Sequence, residues 1–135
     1  MTDPPHHIVS VAGLAPPVGY AHAVVAAPGR VVYLGGQTAQ RSDGTIHGDA
    51  ITDQFELAVR NLIAALEAAG GRSDHLVSVQ IFVTDLAAYR SSSRTLGIAW
   101  RRHCGRHYPA MAVIGVHELF DPAAKVELVG VAVIP

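Results

Sequence analysis

Cysteine is almost missing from these 135 residues. Cys104 stands alone, so no disulfide can close within the chain and nothing points to an oxidising compartment. Charge is scarce too: 16% of residues are charged and the formal net charge is −1, which gives no field to draw nucleic acid or an anionic lipid surface. The amino-terminal MTDPPHHIVSVAGLAPP has no cationic opening, and its apolar run from Ile8 to Ala15 is short and broken by Ser10 and Gly13. Neither a signal peptide nor a membrane span is read there, and a cytoplasmic location is expected. Nucleotide-binding glycine motifs are also lacking. Gly35-Gly36-Gln37 follows an apolar run, but no helix opens after it and no lysine-bearing phosphate loop exists. No Gly-x-Ser-x-Gly elbow appears, so a serine-hydrolase triad has no motif.

What the chain has is apolar surface. Half its residues are hydrophobic, and a single domain of this size buries roughly two-thirds of its unfolded surface. The excess predicts a further face buried in an oligomer. Residues 1–18 hold four prolines and read as an amino-terminal arm, with a short strand at 7–12, ahead of one domain over 19–135. Apolar runs at 22–27 and 30–36, split by Pro28-Gly29, read as two strands. A polar loop over 37–49 precedes a helix in which Phe55, Val59, Leu62, Ile63 and Leu66 recur at helical spacing and Gly70-Gly71 supplies the stop. Val77, Val79, Ile81 and Val83 alternate with Ser78, Gln80 and Thr84 in a half-buried strand. A second helix is predicted from about Leu86 to His103, then strands at 109–116 and 124–134. The order ββαβαββ, with strands outnumbering crossovers, gives an α+β fold with a mixed sheet and two helices packed on one face.

Two stretches carry candidate chemistry. Arg94, Arg101, Arg102 and Arg106, with His103 and His107, cluster around the second helix. Such cations can contact phosphates, but near a helix carboxyl end each also complements the macrodipole by about 0.3–1 kcal/mol. There is no aromatic interleaving of the kind single-strand readers use. His103 and His107 flank Cys104 and Gly105, yet a helix stop at Gly105 separates them, so no metal site is expected. Cys104 reads as a bystander rather than an activated thiol. Glu127 is the sharper signal: it interrupts KVELVGVAVI, whose other residues from Val126 onward are apolar. A carboxyl there is costly unless it reaches water, finds a partner, or lines a cleft where it holds a water or moves a proton.

Six phrases taken in order, GYAHAVVA (19–26), VVYLGGQTA (31–39), NLIAALEAAGG (61–71), HLVSVQIFVTDLAAY (75–89), YPAMAVIGV (108–116) and KVELVGVAVI (125–134), resemble the RidA/YjgF family. This family is also called endoribonuclease L-PSP or the reactive-intermediate deaminases. The resemblance implies a chorismate-mutase-like α+β fold, a homotrimer, and small-molecule clefts between neighbouring subunits. It further implies hydrolysis of reactive enamines and imines without metal or cofactor, an arginine gripping the substrate carboxylate and a glutamate positioning water. Carried over by position, Glu127 matches the glutamate, Tyr20 a ring lining the cleft, and Gly36 a glycine facing the ligand. Gly35 stands where a serine is common, and Ser93 aligns with a cleft asparagine. The family arginine follows Pro-Ala, here Pro109-Ala110, and the next residue is Met111, with Val113 two positions on.

A thioether cannot imitate a bidentate arginine–carboxylate contact. The sequence therefore predicts a RidA-like trimer whose cleft binds or hydrolyses a small neutral or amine-bearing metabolite, as a cofactor-free C–N hydrolase if it is an enzyme. The alternative is an enamine/imine deaminase in which another basic residue, such as Arg106 or His22, substitutes across the interface. An RNA-cleaving protein is the third reading, and near-neutral charge argues against it and against a nucleic-acid or membrane partner.

Overall fold

The computed structural model describes residues 3–135. Its elements are β1 (His7–Val9), β2 (Ala23–Val25), β3 (Arg30–Gln37), α1 (Ile51–Ala68), β4 (Leu76–Val83), α2 (Leu86–Ser91), α3 (Ser93–Cys104), β5 (Ala110–Gly115) and β6 (Val126–Ile134). One turn of 3-10 helix, Ser73–His75, leads into β4.

The predicted apolar stripe is the buried face of α1: Phe55, Val59, Leu62, Ile63 and Leu66 are all buried, joined by Ile51 and Ala58. Each large side chain removed from water there contributes roughly 1.5–3 kcal/mol. The helix ends as the two glycines predict. Gly70 takes φ +91°, a conformation costly for other residues. The Gly71 N–H donates to Leu66 O and the Gly70 N–H to Glu67 O, closing a Schellman motif.

The main sheet has the order β3-β6-β4-β5, antiparallel except for the parallel pair β4-β5. Strand periodicity divides its faces. Val79, Ile81 and Val83 of β4 and Val126, Leu128 and Ala132 of β6 are buried in the core with α1 and α3. The alternate residues lie on a face that no helix covers. Register extends this division to the edges. Met111 and Val113 pair with Val79 and Ile81 and share the helix-covered face, whereas Glu127 pairs with Phe82 on the open one.

The structure departs from the sequence expectation in two places. The 22–27 run does not enter the main sheet: β2 pairs antiparallel with β1 in a separate two-stranded ribbon. Buried His6 docks this ribbon, with Nε2 placed 2.9 Å from Val133 O and 3.1 Å from His75 O, while Nδ1 accepts the Ala27 N–H. The second helix is not continuous but breaks at Ser92 into α2 and α3. The serine run 91–93 accounts for the break, since Ser91 Oγ donates back to Ala88 O and serine competes with the helix for backbone groups. Asp85 caps α2 by accepting the Ala88 N–H.

Candidate functional site

Edge strand β5 and helix α3 bound a cleft of about 660 Å³. Met111 and Val113 supply its strand wall, Tyr20 closes one end, and Ser93, Arg94, Gly97 and Arg101 come from α3. Backbone pairing places Tyr20: the Ala21 N–H donates to Pro109 O, bridging residues 20–21 to the start of β5. The apolar lining is aromatic. Phe55 and Tyr89 meet edge to face at 6.2 Å, and Trp100 is fixed by its indole N–H donating to His107 O. Burial pushes the Tyr89 hydroxyl up in pKa, which keeps it a neutral donor.

The α3 residues lie on one stripe, because Ser93, Gly97 and Arg101 are spaced by four. A Cβ at Gly97 would sit 3.4 Å from Arg101 Nη1, so the guanidinium folds back over the glycine. Among the described residues no acidic side chain lines the cleft, and neither Arg94 nor Arg101 is ion-paired.

Glu127 lies elsewhere. It is half-buried on the open face, and its carboxyl group rests against Gly36. A Cβ at Gly36 would come within 2.8 Å of Glu127 Cδ, a distance real side chains do not tolerate. The strand is irregular here: Leu34 pairs with Gly130 and Gln37 with Leu128, leaving a bulge at Gly35-Gly36 that exposes both glycines. Among the described residues no ion pair reaches the Glu127 carboxyl group.

The seven expected site residues thus form two groups. Tyr20, Ser93, Met111 and Val113 meet in the cleft, and Gly35, Gly36 and Glu127 meet on the opposite face of the same sheet. The other candidates go to structural work. Cys104 is buried and its thiol is pushed up to about 12 by burial, which leaves it inert. His103 and Arg102 both contact Glu56; burial opposes ionisation of that carboxyl group, but these hydrogen bonds outweigh it and hold its pKa below the usual value. His107 Nε2 lies 2.8 Å from Leu76 O and His22 Nε2 lies 2.8 Å from Ala15 O. Among the described residues no three His, Cys, Asp or Glu side chains converge as metal ligands.

The sequence pattern of the family described as Endoribonuclease L-PSP matches residues 11–134. The chain belongs to that family. Within the Endoribonuclease L-PSP family, known also by its Rid and YjgF members, a 2-iminobutanoate/2-iminopropanoate deaminase from Dermatophagoides farinae is 29% identical over 133 residues, covering 96% of this chain and 98% of the relative. The fold of a Rid-family protein from Yersinia pestis superposes with a TM-score of 0.86 at 23% identity, over 96% of this chain and 99% of that one. A YjgF/YER057c/UK114-family protein from Mycobacterium tuberculosis gives 0.64 at 30% identity, over 87% and 88%.

For this Endoribonuclease L-PSP family member, the sequence reading missed the two arginines that enter the cleft. The sequence places Arg94 and Arg101 only in the basic cluster around the second helix, and names Arg106 or His22 as substitutes across the interface. Within one chain the basic residues lining the cleft are Arg94 and Arg101. The signal was Gly97, a glycine inside a helix, which costs about 1 kcal/mol relative to alanine and so implies a packing or functional reason.

Proposed function

We propose that this protein hydrolyses a C=N bond in small imines at a site assembled between copies of the chain, without metal or cofactor. The observation that carries the reading is the division of the site across the sheet. A cleft with no acidic group and a carboxyl group with no cleft lie on opposite faces of one subunit, and a neighbouring copy can bring one of each together. The open face is suited to such packing: Val31 and Tyr33, on the same strand as Gly36, are 51% and 80% exposed. With the apolar excess and the family resemblance, a homotrimer is the assembly we favour.

In the assembled site a water hydrogen-bonded to Glu127 attacks the imine carbon while the carboxylate takes one of its protons and hands it to the imine nitrogen, giving a carbinolamine. The carbinol hydroxyl proton then passes by the same carboxylate to the nitrogen as the C–N bond breaks, so that ammonia leaves and a carbonyl product remains. The net reaction consumes one water and releases one ammonia. The expectation of a neutral or amine-bearing metabolite rests on Met111 together with Glu127. Arg94 and Arg101 in the same cleft favour the second reading, an imino acid, and the deaminase relative accords with it.

Imines generated in place by an amino-acid oxidase from 2-aminobutanoate test the reading, with ammonia release or loss of semicarbazone as the measure. Wild-type turnover above buffer, lowered about a hundredfold or more in Glu127→Gln, is expected. Turnover unchanged by that substitution would remove Glu127 from the chemistry.

A further inference from the structure

We infer that Arg101, assisted by Arg94, is the anion anchor of the cleft, so that the ligand's carboxylate is held from helix α3 and not from strand β5. The inference rests on the cleft described above being the substrate's half of the site, and it names the substrate class as small, apolar-bodied carboxylates.

Three observations support it. First, Arg94 and Arg101 both line a cleft that has no carboxylate among its described residues, and neither is ion-paired elsewhere. Their helix neighbour Arg102 is committed to Glu56 on another surface. Second, Gly97 gives the Arg101 guanidinium a place to lie: it rests 3.4 Å from where a Cβ would stand, so a side chain longer than alanine there would compete with it for the same space. Third, helix electrostatics explain Arg101 but not Arg94. A cation in the last turn complements the dipole, whereas Arg94 is the second residue of α3, where a positive charge is disfavoured and no side-chain cap compensates. A role in binding an anion gives that position a reason.

The chemistry selects the ligand. A planar guanidinium offers paired N–H donors to a carboxylate, and a second cation beside it strengthens the contact. The opposite wall, with Met111, Val113 and the aromatic floor of Phe55, Tyr89 and Trp100, accepts an aliphatic side chain. Met111 then contributes apolar contact, and the charge comes from one element over.

The test reads binding without turnover, so its failure and a failure of the hydrolase reading are separable. Trp100 is the only tryptophan, and its indole N–H gives one reporter resonance inside the cleft. Full-length protein is titrated with 2-oxobutanoate, the carboxylate product, and with neutral 2-butanone, following that resonance. Arg101→Gln should weaken 2-oxobutanoate about tenfold or more and leave butanone unchanged. Arg94→Gln should have the same selectivity and a smaller effect, and Arg101→Lys should keep part of the affinity. Because Arg101 is exposed, these variants are expected to fold. Adding Met111→Arg to Arg101→Gln should restore carboxylate selectivity, since a cation returns to the same cleft. Equal losses for both ligands, or 2-oxobutanoate affinity indifferent to Arg101, would overturn the inference. So would a wild type that binds 2-oxobutanoate no better than butanone, even if imine turnover persists.

Discussion

The cleft beside β5 and the carboxyl group on β6 stand only two strands apart in the sheet order, yet they are unlike in nearly every physical respect. The cleft is aromatic and cationic, built where an edge strand meets a broken helix. The Glu127 patch holds a carboxyl group and is built from a bulge and a glycine on a face that carries no helix. Strand periodicity puts them on opposite sides of a single layer. On the reading proposed above, binding and chemistry are complete only where one subunit's covered side meets another's open side.

The largest expected effect separates the two regions by function. Glu127→Gln should remove turnover, as stated above, while leaving the Trp100 response to 2-oxobutanoate within about twofold, because no part of that carboxyl group lines the same subunit's cleft. A matching loss of binding would mean that the neighbouring Glu127 also contributes to holding the ligand.

Gly36 sharpens the same contrast at smaller scale. Its Cβ would collide with the Glu127 carboxyl group at 2.8 Å, so Gly36→Val should shift the carboxylate by a fraction of an ångström or more. A kcat reduced about tenfold to a hundredfold with KM little changed is the expected result. Equal kcat in the variant would show that the side chain can re-aim without cost.

A smaller effect concerns the frame both regions share. Burial lowers the pKa of His75, and the Arg72 cation lowers it further, below the ordinary 6.5. The unfolded chain therefore takes up this proton first. Stability is fully present above pH 6.5 and is lost as the pH falls through the folded value, so unfolding midpoints should drop modestly on acidification. His75→Gln should flatten that dependence, and a slope unaltered in the variant would assign it to other groups.

Much of this was legible in the sequence, for identifiable reasons. Helix α1 announced itself by periodicity and a glycine stop, and β4 by strict alternation, because local pattern and tertiary burial agree there. Glu127 stood out as the one carboxylate in an apolar strand. The break at Ser92 was missed because the helical period continues across it and only the serine run interrupts the hydrogen bonding. The ribbon of β1 and β2 depends on His6 reaching residues 69 and 127 positions away, which no local pattern encodes. The division of the site across two faces was hidden for the same reason: it follows from the pairing of β6 with β4 and of β4 with β5. Arg94 and Arg101 were visible as charges, but a cation near a helix end reads equally as dipole compensation until the cleft beside it is seen.

The most direct test of the assembled site is complementation between impaired subunits. Glu127→Gln chains keep the cleft, and Arg101→Gln chains keep the carboxyl group. Co-refolded at equal amounts, random mixing in a closed ring unites an intact cleft with a neighbour's intact Glu127 in about a quarter of the sites. At substrate well below KM the account predicts imine turnover near that fraction of wild type, from a mixture whose components alone have at most about a tenth of it. Turnover no higher than the sum of the separate variants, in oligomers shown to have exchanged subunits, would contradict it and place both halves of the reaction within one chain.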